Sequence, residues 1–237
     1  MFNDLDLPDR LLTARRGTAY FVQRLAELGD RHLDADSLLP GWSRRHLVAH
    51  VGYNAAALCR LMDWAGTGTE TPMYASAEQR ACEIDEGSTL NPGALRNLFD
   101  HTVARLDQKW RHLPPAAWSA QVRTAQGRLV PASETVWMRT REVWIHAVDL
   151  ASGGRFSDFP PVVLQSLLAD IVEAWRRNDR GAGLTLAVEG CNPIVLPPGP
   201  RTTTVSAPLP AVVRWAAGRG AVDVSIDGDE VGPPRWL

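Results

Sequence analysis

The chain has 237 residues, 45% of them apolar and 22% charged, with a formal net charge of −2. That length holds one large domain or a medium domain plus a small one, and interspersed charge of both signs gives nucleic acid or an anionic membrane no basic face to bind. No apolar run approaches the roughly 18 residues of a membrane span, and the start Met1-Phe2-Asn3-Asp4-Leu5-Asp6 lacks the basic and apolar parts of a signal peptide, so a cytoplasmic location is expected.

In chain order, Leu11, Ala14, Thr18, Phe21, Leu25 and Leu28 step by threes and fours, the spacing that lines one face of a helix. A turn-rich stretch ends at Pro40-Gly41-Trp42, and Ser43 is a good N-cap for a second helix carrying Leu47, Val51, Leu58 and Met62. Gly66 and Gly68 stop it. Asn91-Pro92 opens a third helix, with proline where its missing N–H costs nothing, and Pro114-Pro115 ends it. A loop containing Gly127 and Pro131 leads to a fourth helix, about Ser133 to Leu150, closed by Ser152-Gly153-Gly154. Four long helices with apolar stripes predict a four-helix bundle.

Beyond Gly154 the pattern changes. A helix over about Pro161 to Asn178 precedes short alternating segments at Leu184–Glu189, Thr202–Ser206 and Val222–Ile226, with a short helix over Pro210–Ala217. The expectation is an α+β chain: a bundle over residues 1–153 and a small α/β domain over 154–237. Cys59, Cys82 and Cys191 form no CxxC pair and read as unpaired thiols packed as small hydrophobes.

The bundle carries the candidate chemistry. Glu142 and His146 are four residues apart, roughly 6 Å along a helix and nearly in line, so both reach one ion. His46, His50 and Asn54 form a row of the same spacing on the second helix. Bundle interiors host metals on carboxylates and histidines from facing helices, and three N/O ligands leave an open position, as in catalytic zinc sites. The competing account is a solvated Glu/His pair and a satisfied core histidine. Spacing does not choose between His46 and His50, although His46 falls in the first turn, where exposure is expected. Arg219 lies between two glycines, a setting that permits a tight turn projecting its guanidinium toward a carboxylate; a surface arginine is the simpler alternative. For Arg139 and Arg141, solvent or an intrahelical partner such as Glu134 is the easiest account.

Five segments, His50-Val-Gly-Tyr-Asn-Ala55, Thr124-Ala-Gln-Gly-Arg-Leu-Val-Pro-Ala-Ser-Glu-Thr135, Arg141-Glu-Val-Trp-Ile-His-Ala-Val-Asp149, the Ala217-Gly-Arg-Gly220 turn and the closing Pro233-Pro-Arg-Trp-Leu237, resemble the mycothiol-dependent maleylpyruvate isomerases in order and spacing. The resemblance implies a DinB-like metal-binding bundle followed by a small α/β domain, with the ion on His50, Glu142 and His146 and an essential arginine at Arg219. It implies zinc or another divalent ion and mycothiol as cofactors. The reaction it implies is the cis-to-trans isomerisation of maleylpyruvate to fumarylpyruvate, a step in gentisate breakdown, by reversible addition of a thiolate. Another mycothiol-dependent enzyme, such as a thiol S-transferase, and a non-catalytic metal-binding protein are the alternatives.

Overall fold

The computed structural model describes residues 1–200, 202–229 and 232–236. The chain divides into two compact units, Leu5–Gly154 and Arg155–Leu237, the second taking in Met1–Asp4 as well.

The first unit is helical. Its elements are α1 (Leu7–Ala26), α2 (Arg44–Thr67), α3 (Ala77–Ser88), α4 (Pro92–His112), β1 (Gln121–Arg123), β2 (Leu129–Pro131) and α5 (Glu134–Asp149). The helix ends follow local chemistry. Asp6 accepts from the Asp9 N–H ahead of α1, and Asn91 accepts from the Ala94 N–H ahead of α4, whose first residue is proline. Gly68 ends α2 in a left-handed conformation, φ 75°, that a side chain would strain. Helix α1 packs on α5, and α2 packs on α3, α4 and α5. The predicted stripes face inward: Ala14, Phe21 and Leu25 of α1, Leu47, Val51 and Leu58 of α2, and Leu95, Phe99 and Leu106 of α4 are buried. The Phe21 and Phe99 rings stack at 5.1 Å between α1 and α4.

Two parts of this unit differ from the sequence expectation. Helix α3 was not anticipated, because only Ile84 and Gly87 of its twelve residues are buried and its stripe is too thin to read. The expected loop before α5 is an antiparallel hairpin, with Val122 opposite Val130 and both buried. Its strands are three residues each, too short for alternation to stand out.

The second unit contains α6 (Pro161–Arg177), β3 (Leu184–Val188), β4 (Ile194–Val195), β5 (Thr203–Ala207), α7 (Leu209–Ala216) and β6 (Ser225–Gly228). The sheet order is β4-β3-β5-β6, with β3 and β5 parallel and both edge pairings antiparallel. Helices α6 and α7 pack together, and Trp175 meets Trp215 edge-on at 6.3 Å. The last strand begins three residues later than Val222, since Asp223 takes φ 58° in a turn and Val222 stays 43% exposed. Phe2 is buried in this unit, and its N–H donates to Ser166 Oγ of α6 at 2.7 Å.

Of the cysteines only Cys59 is buried; Cys82 and Cys191 are exposed, so the packed-hydrophobe reading holds for one of the three. No helix among the described residues is long and apolar enough to cross a membrane.

Candidate metal centre

Helices α2 and α5 bring His50, Glu142 and His146 together. Glu142 Oε2 lies 2.9 Å from His50 Nε2 and 3.1 Å from His146 Nε2. One ligand atom from each residue falls within 4.8 Å of the other two. The side chains are 7%, 25% and 12% exposed, so the carboxylate has the widest access to solvent.

The surroundings orient these groups. His146 Nδ1 donates to Asp149 Oδ2 at 2.9 Å, and Asp149 is completely buried. That bond keeps a hydrogen on Nδ1 and leaves Nε2 as the nitrogen presented to Glu142, the usual orientation behind a metal-ligating histidine. The Trp42 ring stands edge-on to His50 at 5.3 Å. Arg80 Nη2 of α3 lies 3.3 Å from His50 Nδ1.

The electrostatics follow from burial set against close charges. Burial pushes the Glu142 carboxyl up, but hydrogen bonds from His146 and His50 and their positive charge outweigh it and hold the group well below the usual carboxylate range. Burial opposes charge on His146 too, yet Asp149 and Glu142 raise it to about 9. His50 goes the other way: burial lowers it, and its single carboxylate neighbour only partly compensates. Two imidazole nitrogens and a carboxylate oxygen converging at the bundle interior, with a second carboxylate behind one imidazole, fit a divalent cation.

The other candidates are placed as follows. His46 does not join the set; its Nδ1 meets Ser43 Oγ at 2.7 Å at the helix cap, where the ring is half-buried. Arg139 overturns its expectation. It is 1% exposed and donates from Nη1 to Val51 O at 2.7 Å and Asn54 Oδ1 at 2.9 Å, because its position on α5 faces α2. Burial brings its guanidinium down to about 10. Arg141 is half-buried. Arg219 lies in the second unit, in a turn where Gly218 and Gly220 take φ 78° and 93°, and its Nη1 donates to Ala217 O at 2.6 Å. Leu237, the last residue of the closing segment, lies outside the described residues.

Sequence reading missed Asp149, Arg80 and Trp42 as neighbours of the centre. Asp149 had a signal, since it sits three residues after His146 on the same helical face. Arg80 had a fainter one. Ser76-Ala-Glu-Gln79 is a capping-box spacing, and Ser76 Oγ accepts from the Gln79 N–H while Gln79 Oε1 accepts from the Ala75 N–H.

A family model described as the mycothiol maleylpyruvate isomerase N-terminal domain matches residues 14–151, the span that contains this centre. The chain belongs to the mycothiol maleylpyruvate isomerase family. A solved structure described as the crystal structure of the mycothiol-dependent maleylpyruvate isomerase is 52% identical, with a TM-score of 0.97 over 100% of this chain and 99% of that one. A second, of a histidine-to-alanine mutant of a mycothiol-dependent maleylpyruvate isomerase, is 51% identical with a TM-score of 0.96 and the same coverage. No curated protein matches the chain. For this member of the mycothiol maleylpyruvate isomerase family, the α+β fold agrees with that of the solved isomerase along the whole chain.

Proposed function

We propose that this protein isomerises maleylpyruvate to fumarylpyruvate with mycothiol as its thiol cofactor, in gentisate breakdown in the cytoplasm. His50, Glu142 and His146 hold a divalent ion in this reading, and Arg219 is the essential arginine. The observation that carries the proposal is 52% identity along the whole chain to a mycothiol-dependent maleylpyruvate isomerase. The three converging donors support the metal part. We read the ion as zinc, since two histidines and a carboxylate with an open position suit a catalytic zinc, and the bundle as a DinB-type scaffold.

Rotation about a C=C bond is prohibitively slow until the double bond is lost. Mycothiol, when bound, supplies a thiol whose reversible addition to the alkene leaves a single bond free to turn. The ion, when bound, supplies an electrophilic position that lowers the pKa of a thiol. The protein's own groups prepare for this. Asp149 fixes the tautomer of His146 and raises its basicity as a ligand, while Glu142 stays ionised. Arg219 offers a fixed cation to the negative charge that builds on the substrate's ketone oxygen during conjugate addition.

The test mixes protein, maleylpyruvate and mycothiol and follows fumarylpyruvate. Turnover should require mycothiol, stop after chelation and return with zinc. A stable thioether product without fumarylpyruvate would instead mark a thiol S-transferase. Full turnover in metal-free protein would remove the triad's role.

A further inference from the structure

Arg80 of α3 stands beside the centre. Its guanidinium reaches His50 Nδ1 at 3.3 Å and lies over the Tyr74 ring, 5.8 Å from its centroid. The acid one turn along α3 is otherwise engaged: Glu83 accepts from Gln79 Nε2 at 3.2 Å and faces Arg60 at 3.9 Å. Among the described residues no carboxylate lies within ion-pair distance of Arg80. It is half-buried, and half-buried arginines ordinarily pair with an anion that matches their fork.

Its present partner cannot serve both purposes. An arginine N–H donates, so His50 Nδ1 must accept, which leaves the ring hydrogen on Nε2 facing Glu142. When His50 is a ligand through Nε2, the ring hydrogen moves to Nδ1 and two donors face each other. Arg80 then has to leave Nδ1, and it does so as a cation within a side chain's reach of the ligand set. The aromatic face of Tyr74 remains to steady it.

We propose that Arg80 forms a carboxylate-binding subsite at the metal centre: with His50 engaged as a ligand, its guanidinium turns from Nδ1 to one carboxylate of the dicarboxylate substrate. The inference rests on the functional reading above and names a residue that holds substrate rather than metal. A carboxylate contributes no reacting atom to the isomerisation, so Arg80 binds it alike before and during reaction and its loss falls on KM more than on kcat.

The test compares zinc-loaded wild type with R80Q and R80K. Zinc content should match in all three. KM for maleylpyruvate should rise about 10- to 100-fold in R80Q, the range for one hydrogen bond to a charged group. The kcat should change far less, and R80K should recover part of the loss. Succinate, an unreactive dicarboxylate, titrated calorimetrically into zinc-loaded protein should bind R80Q weaker by a similar factor. In nitrogen-15 spectra of wild type, zinc should convert His50 Nδ1 from acceptor to N–H. Unchanged KM and succinate affinity in R80Q, no succinate binding by wild type, or loss of zinc from R80Q would each overturn the proposal. If wild type fails to isomerise maleylpyruvate, the functional reading falls, and the succinate titration still decides the role of Arg80.

Discussion

His50 and Arg219 carry different parts of the proposed chemistry, and substitution separates them. His50→Ala removes one of the three ligands and leaves the other buried contacts of α2 in place, so metal content and activity should collapse together while the circular dichroism spectrum keeps its helical shape. Arg219→Ala leaves the triad untouched. Its metal content should equal that of wild type, and turnover should fall about 100- to 1,000-fold, the usual effect of removing one preorganised donor to a developing oxyanion. Equal rates for wild type and Arg219→Ala would return that residue to a structural turn. Asp149 makes a subtler case, because it touches His146 and not the ion's position. Asp149→Asn keeps an acceptor of similar shape but removes the charge that makes His146 a stronger ligand. Zinc affinity measured by competition with a chelator should drop about 10-fold, the low end for an outer partner of a metal ligand.

At the scale of the elements, Gly17 of α1 packs directly against α5. A Cβ there would stand 2.5 Å from Trp144 Nε1 and 2.7 Å from Val143 Cγ2, both on buried side chains of α5. Gly17→Ala should therefore destabilise the protein by about 1–3 kcal/mol of overpacking, against the ~1 kcal/mol that alanine gains over glycine in a helix. Val143 adjoins Glu142, so zinc binding should weaken as α5 shifts. Gly66 of α2 is the control. Its added Cβ meets only Leu113 Cδ1, at 3.6 Å, so Gly66→Ala should raise the unfolding midpoint in urea. The same contrast explains which elements the sequence revealed. Helices α1, α2, α4 and α5 bury a regular stripe, and caps such as Asn91-Pro92 and Gly68 mark their ends, so they were legible within a few residues. Helix α3 buries almost nothing, and with it Arg80 escaped notice. Arg139 misled because arginine is almost never fully buried without a partner; its partners, Val51 O and Asn54, come from another helix and leave no trace in local spacing. The pairing of Glu142 with His146 was readable as an i,i+4 step. The choice of His50 over His46 came from family resemblance, and in the structure it reflects the turn of α2 that faces α5.

For the molecule as a whole, the centre ties α2 to α5 across 92 residues of chain between His50 and Glu142, so an ion held there stabilises the helical unit as well as equipping it. Anything that binds the folded state alone adds RT ln(1 + [L]/Kd), about 2.7 kcal/mol at 100 times Kd. For a protein of this size that corresponds to a rise in Tm of roughly 5–10 °C. The pH dependence has a definite sign. His146 sits at about 9 when folded, above its ordinary 6.5, so its ion pairs stabilise the metal-free protein fully below pH 6.5 and fade as pH rises through 9. His50 is lowered instead, so its contribution changes below pH 6.5 and is constant across this window. Zinc needs both imidazoles without their Nε2 protons and therefore binds more tightly as pH rises. Both trends follow from release of the His146 proton, so the zinc-induced rise in Tm should be smallest near pH 6.5 and grow toward pH 9, read by differential scanning fluorimetry with and without chelator. His50→Ala should abolish the zinc-induced shift at every pH. A shift that stays constant with pH, or persists in His50→Ala, would place the ion elsewhere.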